Sequence, residues 1–521
     1  MNWQLLSYVC GLAFLTLGAP VTSPQPAPAA THWSSLDSTE TLVVLQGGDT
    51  VAVEWLTRAP GVLRGHGVHN RALTYDYTLT VDDAQSPVRM DLIVSQEGLR
   101  PDTSAFVYGS LLPPRLARGT MPYWGPLYGL IEQLVVRARA IGGRNVKIPV
   151  NLIVRRRNAT ATVDFVAPDS VRMDIDGLRV DGAVDRDGGL LRAWLPGAGL
   201  RVHRASLLPH TVFAVEPRFE APASAPYRSE HLSIRAPDGV MLSGTLTLPK
   251  SAITQRMPAV VLLHGSTSTD RNNSGGVYYG ALLFRQLADT LSRRGIAVLR
   301  YDKRGFGAIP PGDPPVLSTL ATDAKAALAL LKGRNDIDAG RLALLGLSEG
   351  GVIGPIVASQ DTALRGLVLL NAPGVTGWNL FEYQVRAAIE RIPGISPSRR
   401  DSVYEAEVVD ERALALKSER ERVWLEHDPI AVARRIKTPV LIINATSDLI
   451  VPANSAATLL EAFRQAGNHD ITAIIAADLN HVLLTDSDGD RRGWTNLPSY
   501  LVPGDIRGLI ADWLVRHLVR P

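Results

Sequence analysis

At residues 344–355 the chain reads LLGLSEGGVIGP, an apolar run holding one Ser and one Glu fenced by glycines. A buried strand would take Val or Ile at these positions, and a helix would lose about 1 kcal/mol at each interior Gly. Packing alone does not ask for this composition. The segment Gly346-Leu-Ser348-Glu-Gly350 follows an apolar strand at 342–345 and precedes a helical run, which is the setting of a G-x-S-x-G nucleophile elbow. So sharp a turn tolerates only small flanking residues, supplied by Gly346, Gly350 and Gly351, and it presents the Ser348 hydroxyl, exposed, at a helix N-terminus.

A serine hydroxyl is a poor nucleophile until a base takes its proton, and that base must itself be oriented by an acid. Downstream, the run Val440-Leu-Ile-Ile-Asn-Ala-Thr-Ser-Asp448 ends a strand with a carboxylate at its tip. A helix and a strand later comes Asp478-Leu-Asn-His481. Asp448 and His481 therefore fall in loops on the sheet edge that carries Ser348. Asp478 and Asp486 are rival acids, but neither ends a strand before a helix. Acyl chemistry also needs two N–H groups aimed at the developing oxyanion. The expected donors are the backbone of Glu349, after the nucleophile, and of Ser266, in the loop after the strand at 259–263. His264 reads as a residue that structures this loop. The Glu349 carboxylate has two readings: it braces a neighbouring loop through Arg271 or Arg304, or it faces solvent.

These residues need a scaffold, and beyond residue 226 the pattern supplies one. Apolar strands at 259–263, 296–300, 342–345, 366–370, 440–443 and 471–475 alternate with amphipathic helices at 281–294, 317–331 and 505–517. Continuous apolar strands spaced by helices predict a mostly parallel sheet buried on both faces. From 376 to 435 the strand rhythm stops in a charged, helical stretch broken by Pro393 and Pro397, read as a cap over the strand ends. Residues 31–220 differ. Segments at 74–81, 88–94, 147–154, 159–166, 171–175 and 190–195 alternate apolar and polar side chains, with one helical run at 127–141. The expected organisation is an antiparallel β-rich domain at 31–220, a Pro- and Ala-rich linker near 217–226, and a catalytic domain at 221–521 with its cap insertion.

Residues 1–30 read as a signal peptide, apolar from Leu5 to Ala19 and cleavable after Ala29, which makes the mature protein exported, periplasmic or secreted. The apolar stretch is shorter than a spanning helix needs, so an uncleaved anchor is the weaker alternative, and the mature chain is expected to have no stable membrane span. Cys10, the single cysteine, lies inside this leader, which leaves no thiol for disulfide or metal chemistry. A net charge of +3 over 521 residues, with Arg155, Arg156 and Arg157 as the densest basic spot, gives no basis for nucleic-acid binding. His66 and His69 have a metal-compatible spacing, but with Gly65 and Gly67 beside them they read as a polar loop. No metal or cofactor motif and no phosphate-binding loop accompanies them.

Residues from about Glu230 to the C-terminus resemble the serine α/β-hydrolases and, among them, the EstD-type esterases. The likeness is carried by His264-Gly-Ser-Thr-Ser-Thr-Asp270-Arg271-Asn272, Arg300-Tyr-Asp302-Lys-Arg304-Gly305-Phe-Gly307 and Gly346-Leu-Ser-Glu-Gly-Gly351, in that order. It implies an α/β-hydrolase fold and an esterase on short acyl esters, with Ser348, Asp448 and His481 as triad and no cofactor. Two positions depart from the pattern: Ala308 stands where a Ser often follows, and Asn444 replaces a Gly common before the acid. Asp302 and Arg304 read as ties between loops. The expected function is a carboxylic-ester hydrolase whose partner is a small acyl ester. A serine peptidase or aminopeptidase is the rival and would use a cap acid such as Glu382, Glu390, Glu405 or Glu407 to grip an amine. A lipid- or glycan-binding β domain presenting Tyr123, Trp124 and Tyr128 is a second rival. The sequence sets neither the natural substrate nor the oligomeric state.

Overall fold

In the computed structural model, described residues are 39–519 apart from 47–48, 70–72, 97–101, 110–115, 126, 154–156, 208–218, 223, 251–255, 267–268, 275–280, 305, 307–314, 392–394, 492–493, 495–496 and 498. The leader, Cys10, Arg155, Arg156, Gly305, Gly307, Ala308, Pro393 and part of the 217–226 linker lie outside them. The chain divides into two units: one holds Phe219–Arg491 and Leu501–Pro521, while the other runs to Arg218 and takes in Arg492–Tyr500. That late return to the first unit has no counterpart in the sequence reading. Within it the Tyr500 N–H donates to the Gly197 carbonyl at 3.3 Å, and Trp494 and Leu497 are buried.

Among its described residues the N-terminal unit is a 13-stranded sheet, antiparallel except for the parallel edge pair Met121–Tyr123 and Asn145–Leu152, in which the first strand, β1 (Thr39–Gln46), pairs with the last, β13 (Leu200–Arg204). Alternation drives it: Ser170–Ile175 buries every second side chain, as a sheet with one wet face requires. Helix α1 (Tyr128–Ile141) packs on the sheet. Tyr123, Trp124 and Tyr128 are buried, so they serve the core rather than a ligand surface. One expectation needs correction here. The stretch around His66 and His69 is not a loop but strand β3 (Val62–His69). Gly65 and Gly67 face Tyr77 and Tyr75 of β4 (Leu73–Val81) in register, and a Cβ on either would fall 2.2 or 2.1 Å from the ring. The glycines make room for aromatic rings, and His66 Nδ1 bonds Asp76 at 2.8 Å.

The second unit is built on an eight-stranded sheet. Two strands absent from the sequence reading, β14 (Tyr227–Arg235) and β15 (Met241–Pro249), form its antiparallel edge. The rest is parallel: β17 (Ala297–Tyr301), β16 (Met257–Leu263), β18 (Ile337–Leu347), β19 (Gly366–Leu370), β20 (Val440–Ala445) and β21 (Ile471–Ala476), in that spatial order. Every residue of β16, β17, β19 and β20 is buried, as expected of strands covered on both faces. The strand order reverses beside β16, and the crevice beyond such a reversal is where open sheets bind ligands. Between β19 and β20 lie four helices, Gly377–Glu390, Pro397–Ala415, Glu419–Leu425 and Pro429–Ala433. The first three share a small core of Phe381, Val385, Ile389, Val403 and Leu425, while Val432 and Ala433 of the fourth join the main core of the sheet.

Candidate active site

Strand β18 ends at Leu347, Ser348 turns with φ 55°, and the helix Gly350–Ala358 begins two residues later. The left-handed backbone at a non-Gly residue costs on the order of 1 kcal/mol, and the close approach of strand and helix enforces it. A Cβ on Gly346 would sit 2.0 Å from the Gly350 carbonyl oxygen, one on Gly350 2.1 Å from the Leu263 oxygen, and one on Gly351 2.5 Å from the Ala372 Cβ. The Ser348 N–H donates to Leu370 O at 2.9 Å, which fastens the turn to β19. Ser348 as a whole residue is 7% exposed. Cap residues reach this level of the fold. Arg420 lies 3.6 Å from Glu349, and the Tyr383 hydroxyl donates to the Asp448 carbonyl at 2.7 Å.

Three residues past β20, Asp448 is buried with both carboxylate oxygens engaged. Oδ1 accepts the N–H groups of Ile450 and Val451 at 2.8 and 2.9 Å, and Oδ2 lies 2.7 Å from His481 Nδ1. A carboxylate can only accept, so Nδ1 carries the proton and Nε2 is left as the basic nitrogen. Neither rival acid is bonded to His481. Asp478 is exposed, while Asp486 accepts from the Asn480 amide and Gly489 N–H and is pushed up to about 6 by burial and by Asp488.

Asn371, missed in the sequence, joins the two loops. Its amide nitrogen donates to His481 O at 2.8 Å and its oxygen accepts Ala445 N–H at 2.7 Å. The available signal was its place directly after the apolar strand β19, the same kind of position that singled out Asp448. Asn444 also gains a use, its amide donating to Ala372 O at 3.2 Å beside the elbow.

The opposite side of the elbow is braced by charge. Glu349 pairs through Oε2 with Lys303 Nζ at 2.5 Å, and both are nearly fully buried. Of the two readings for the Glu349 carboxylate, bracing of a neighbouring loop holds, through Lys303 in place of Arg271 or Arg304. Arg271 instead grips Asp302 in a bidentate pair at 2.6 and 2.9 Å, and Arg304 spans Asp323 and Asp238 at 2.9 and 2.7 Å. Asp302 and Arg304 thus tie loops together. Burial pulls Lys303 below its ordinary value, and the Glu349 charge opposes that shift. The same ammonium donates to the Gly265 carbonyl, the peptide that ends in Ser266 N–H. His264 is buried, donates through Nε2 to Tyr301 O at 2.7 Å, and is lowered to about 4 by burial, so it is a neutral spacer. Among the described residues, no cluster of three or more His, Cys, Asp or Glu could hold a metal, and no helix is long and apolar enough to cross a membrane.

Residues 260–491 match the model of the alpha/beta hydrolase family. Over 289 residues the chain is 27% identical to the esterase EstD of Thermotoga maritima, covering 54% of this chain and 66% of EstD. An uncharacterized protein of Mycobacterium tuberculosis is 29% identical over 208 residues, 39% of this chain and 57% of that protein. The chain thus spans just under two thirds of the first relative and little over half of the second. A solved structure of a Pyrococcus furiosus esterase is 18% identical with a TM-score of 0.39, covering 58% of this chain and 99% of that one.

Proposed function

We propose that the protein is a carboxylic-ester hydrolase of the alpha/beta hydrolase family, whose model residues 260–491 match, working through Ser348, His481 and Asp448. Ser348 Oγ attacks the acyl carbon as His481 Nε2 takes its proton, and the resulting imidazolium is stabilised by the Asp448 carboxylate. The negative charge moving onto the carbonyl oxygen is met by the N–H groups of Glu349 and Ser266. His481 then hands its proton to the leaving alkoxide. Water attacks the acyl-enzyme by the same route and releases the acid. The observation that carries this reading is the 2.7 Å Asp448–His481 bond, on the sheet edge where three close-packed glycines force Ser348 out of its strand. EstD's description as an esterase agrees with it. Ser348→Ala is expected to abolish turnover of p-nitrophenyl acetate and butyrate while the far-UV spectrum stays unchanged; comparable turnover in the variant sinks the proposal.

A second reading, cleavage of aminoacyl amides, has one observation in its favour. In the cap, Glu411 is 2% exposed and, among the described residues, neither carboxylate oxygen has a hydrogen-bond partner; burial and the neighbouring Glu421 raise it to about 7. A buried acid of this kind suits an ammonium group. Comparing aminoacyl anilides with acyl esters separates the two readings, and the ester reading expects the esters to be preferred. Export of the mature chain through residues 1–30 belongs to the same proposal and is checked by N-terminal sequencing of the secreted protein.

A further inference from the structure

The two N–H groups assigned to the oxyanion come from loops 83 residues apart in sequence, Ser266 and Glu349. The paired strands β16 and β18 bring these loops side by side, Leu263 opposite Gly346, but the Ser266 peptide lies beyond that pairing and needs its own anchor. One side chain touches both loops. Lys303 Nζ donates at 2.5 Å to the Gly265 carbonyl and at 2.5 Å to Glu349 Oε2, and its own N–H donates to Thr269 O at 3.2 Å within the Ser266 loop. The Gly265 carbonyl and the Ser266 N–H belong to one planar trans peptide, so they point in opposite directions. Holding the carbonyl on Lys303 therefore turns the Ser266 N–H away from Lys303. At the other end the ammonium takes the Glu349 carboxylate, so that side chain does not fold back onto the N–H groups of its own helix, as a capping carboxylate would. The geometry points to Lys303 as the positioning residue of the oxyanion hole, a single buried ammonium that orients the Ser266 donor and holds the Glu349 carboxylate away from the hole.

Burying a lysine is costly unless it is paired and hydrogen-bonded, and both conditions are met here: Lys303 is 5% and Glu349 3% exposed. A purely structural ion pair could have been replaced by packed apolar side chains at little loss of stability. What an apolar pair cannot do is accept and donate at two fixed points, one on each loop. Arg420 of the cap, 3.6 Å from Glu349 Oε1, extends the same chain of charges into the cap.

This assignment rests on the hydrolase reading of Ser348. The test uses the full-length protein, p-nitrophenyl butyrate kinetics and inhibition by an alkyl trifluoromethyl ketone, which adds to a serine as a tetrahedral oxyanion. Removing one oxyanion donor outright costs about 10²–10³-fold in kcat, and misaligning donors costs less. Lys303→Met is expected to lower kcat by about 10–100-fold with KM within about twofold, and to weaken the ketone by the same factor as kcat/KM. Lys303→Met leaves a lone buried carboxylate, so the double variant Lys303→Met/Glu349→Gln, with neither charge, is measured beside it. It is expected to fold and to show the loss of the single variant rather than a multiplied one. A folded variant with wild-type kcat, or a loss that falls on KM, overturns the assignment alone. Wild-type protein without Ser348-dependent turnover overturns the hydrolase reading and this assignment together.

Discussion

Each unit buries a glutamate at the start of a helix, and the two are used in opposite ways. In the β unit, Leu127 precedes α1 and offers no capping side chain, so Glu54 on the strand Asp49–Ala59 does the capping. It accepts the N–H groups of Tyr128 and Gly129, at 2.6 and 3.2 Å, and the Tyr77 hydroxyl at 2.8 Å. Its carboxylate thus occupies the first two N–H groups of the helix. At the elbow, Glu349 also stands at a helix start, but its carboxylate is turned onto Lys303. In the proposed reaction, the positive end of that helix is left for the charge that develops on the carbonyl oxygen. A carboxylate held by neutral donors closes an anion site; one drawn off by an ammonium keeps it open.

The comparison breaks first on kinetics. His481→Ala and Asp448→Asn are each expected to lower kcat on p-nitrophenyl butyrate by on the order of 10⁴-fold. Glu54→Gln is expected to leave kcat within twofold. A large kinetic effect of Glu54 would erase the division between structural and chemical helix ends.

The glycines sharpen the contrast next. At Gly346 and Gly350 the obstacle to a Cβ is backbone, at 2.0 and 2.1 Å, which cannot move without unmaking the elbow. Gly346→Ala is expected to cost more than about 3 kcal/mol, or to prevent folding of the unit. Beside Gly65 the obstacle is the Tyr77 ring, a side chain that can shift, so Gly65→Ala is expected to cost about 1–3 kcal/mol in urea unfolding. Equal losses at the two sites would contradict the argument.

Glu54 also predicts a pH dependence. Burial raises it from 4.5 to about 7, because its three donors only partly offset the loss of solvent. The native state keeps a proton that the unfolded chain releases, so this carboxyl's contribution is full below about pH 4.5 and declines as pH rises through 7. The decline is roughly 3 kcal/mol at most. Urea unfolding of wild type and Glu54→Gln at pH 5 and 8 measures it: the stability difference, wild type minus variant, is expected to shrink at pH 8. Growth of that difference with pH would mean that Glu54 is held ionised. The smallest effect expected is that of Tyr383→Phe, which removes one hydrogen bond to the Asp448 carbonyl and should lower kcat about two- to fivefold.

What the sequence revealed follows the same physics. Ser348 was readable because close approach of backbone leaves glycines at fixed offsets, and Asp448 because a lone carboxylate ended an apolar run. The parallel sheet was readable from continuous burial. Partner choice was not: Lys303, Arg304 and Arg271 are equivalent in sequence, and only the paths of their loops decide which one meets Glu349. Gly65 and Gly67 misled because the rings that need their space, Tyr77 and Tyr75, lie on the next strand. The return of Arg492–Tyr500 to the β unit depends on tertiary contacts with no local periodicity.

The central claim is that Ser348 is an activated nucleophile. Full-length protein treated with a fluorophosphonate and mapped by peptide mass spectrometry tests it most directly. The account predicts a single adduct on Ser348, slowed strongly in His481→Ala; an unlabelled protein, or an adduct on another serine, would contradict it.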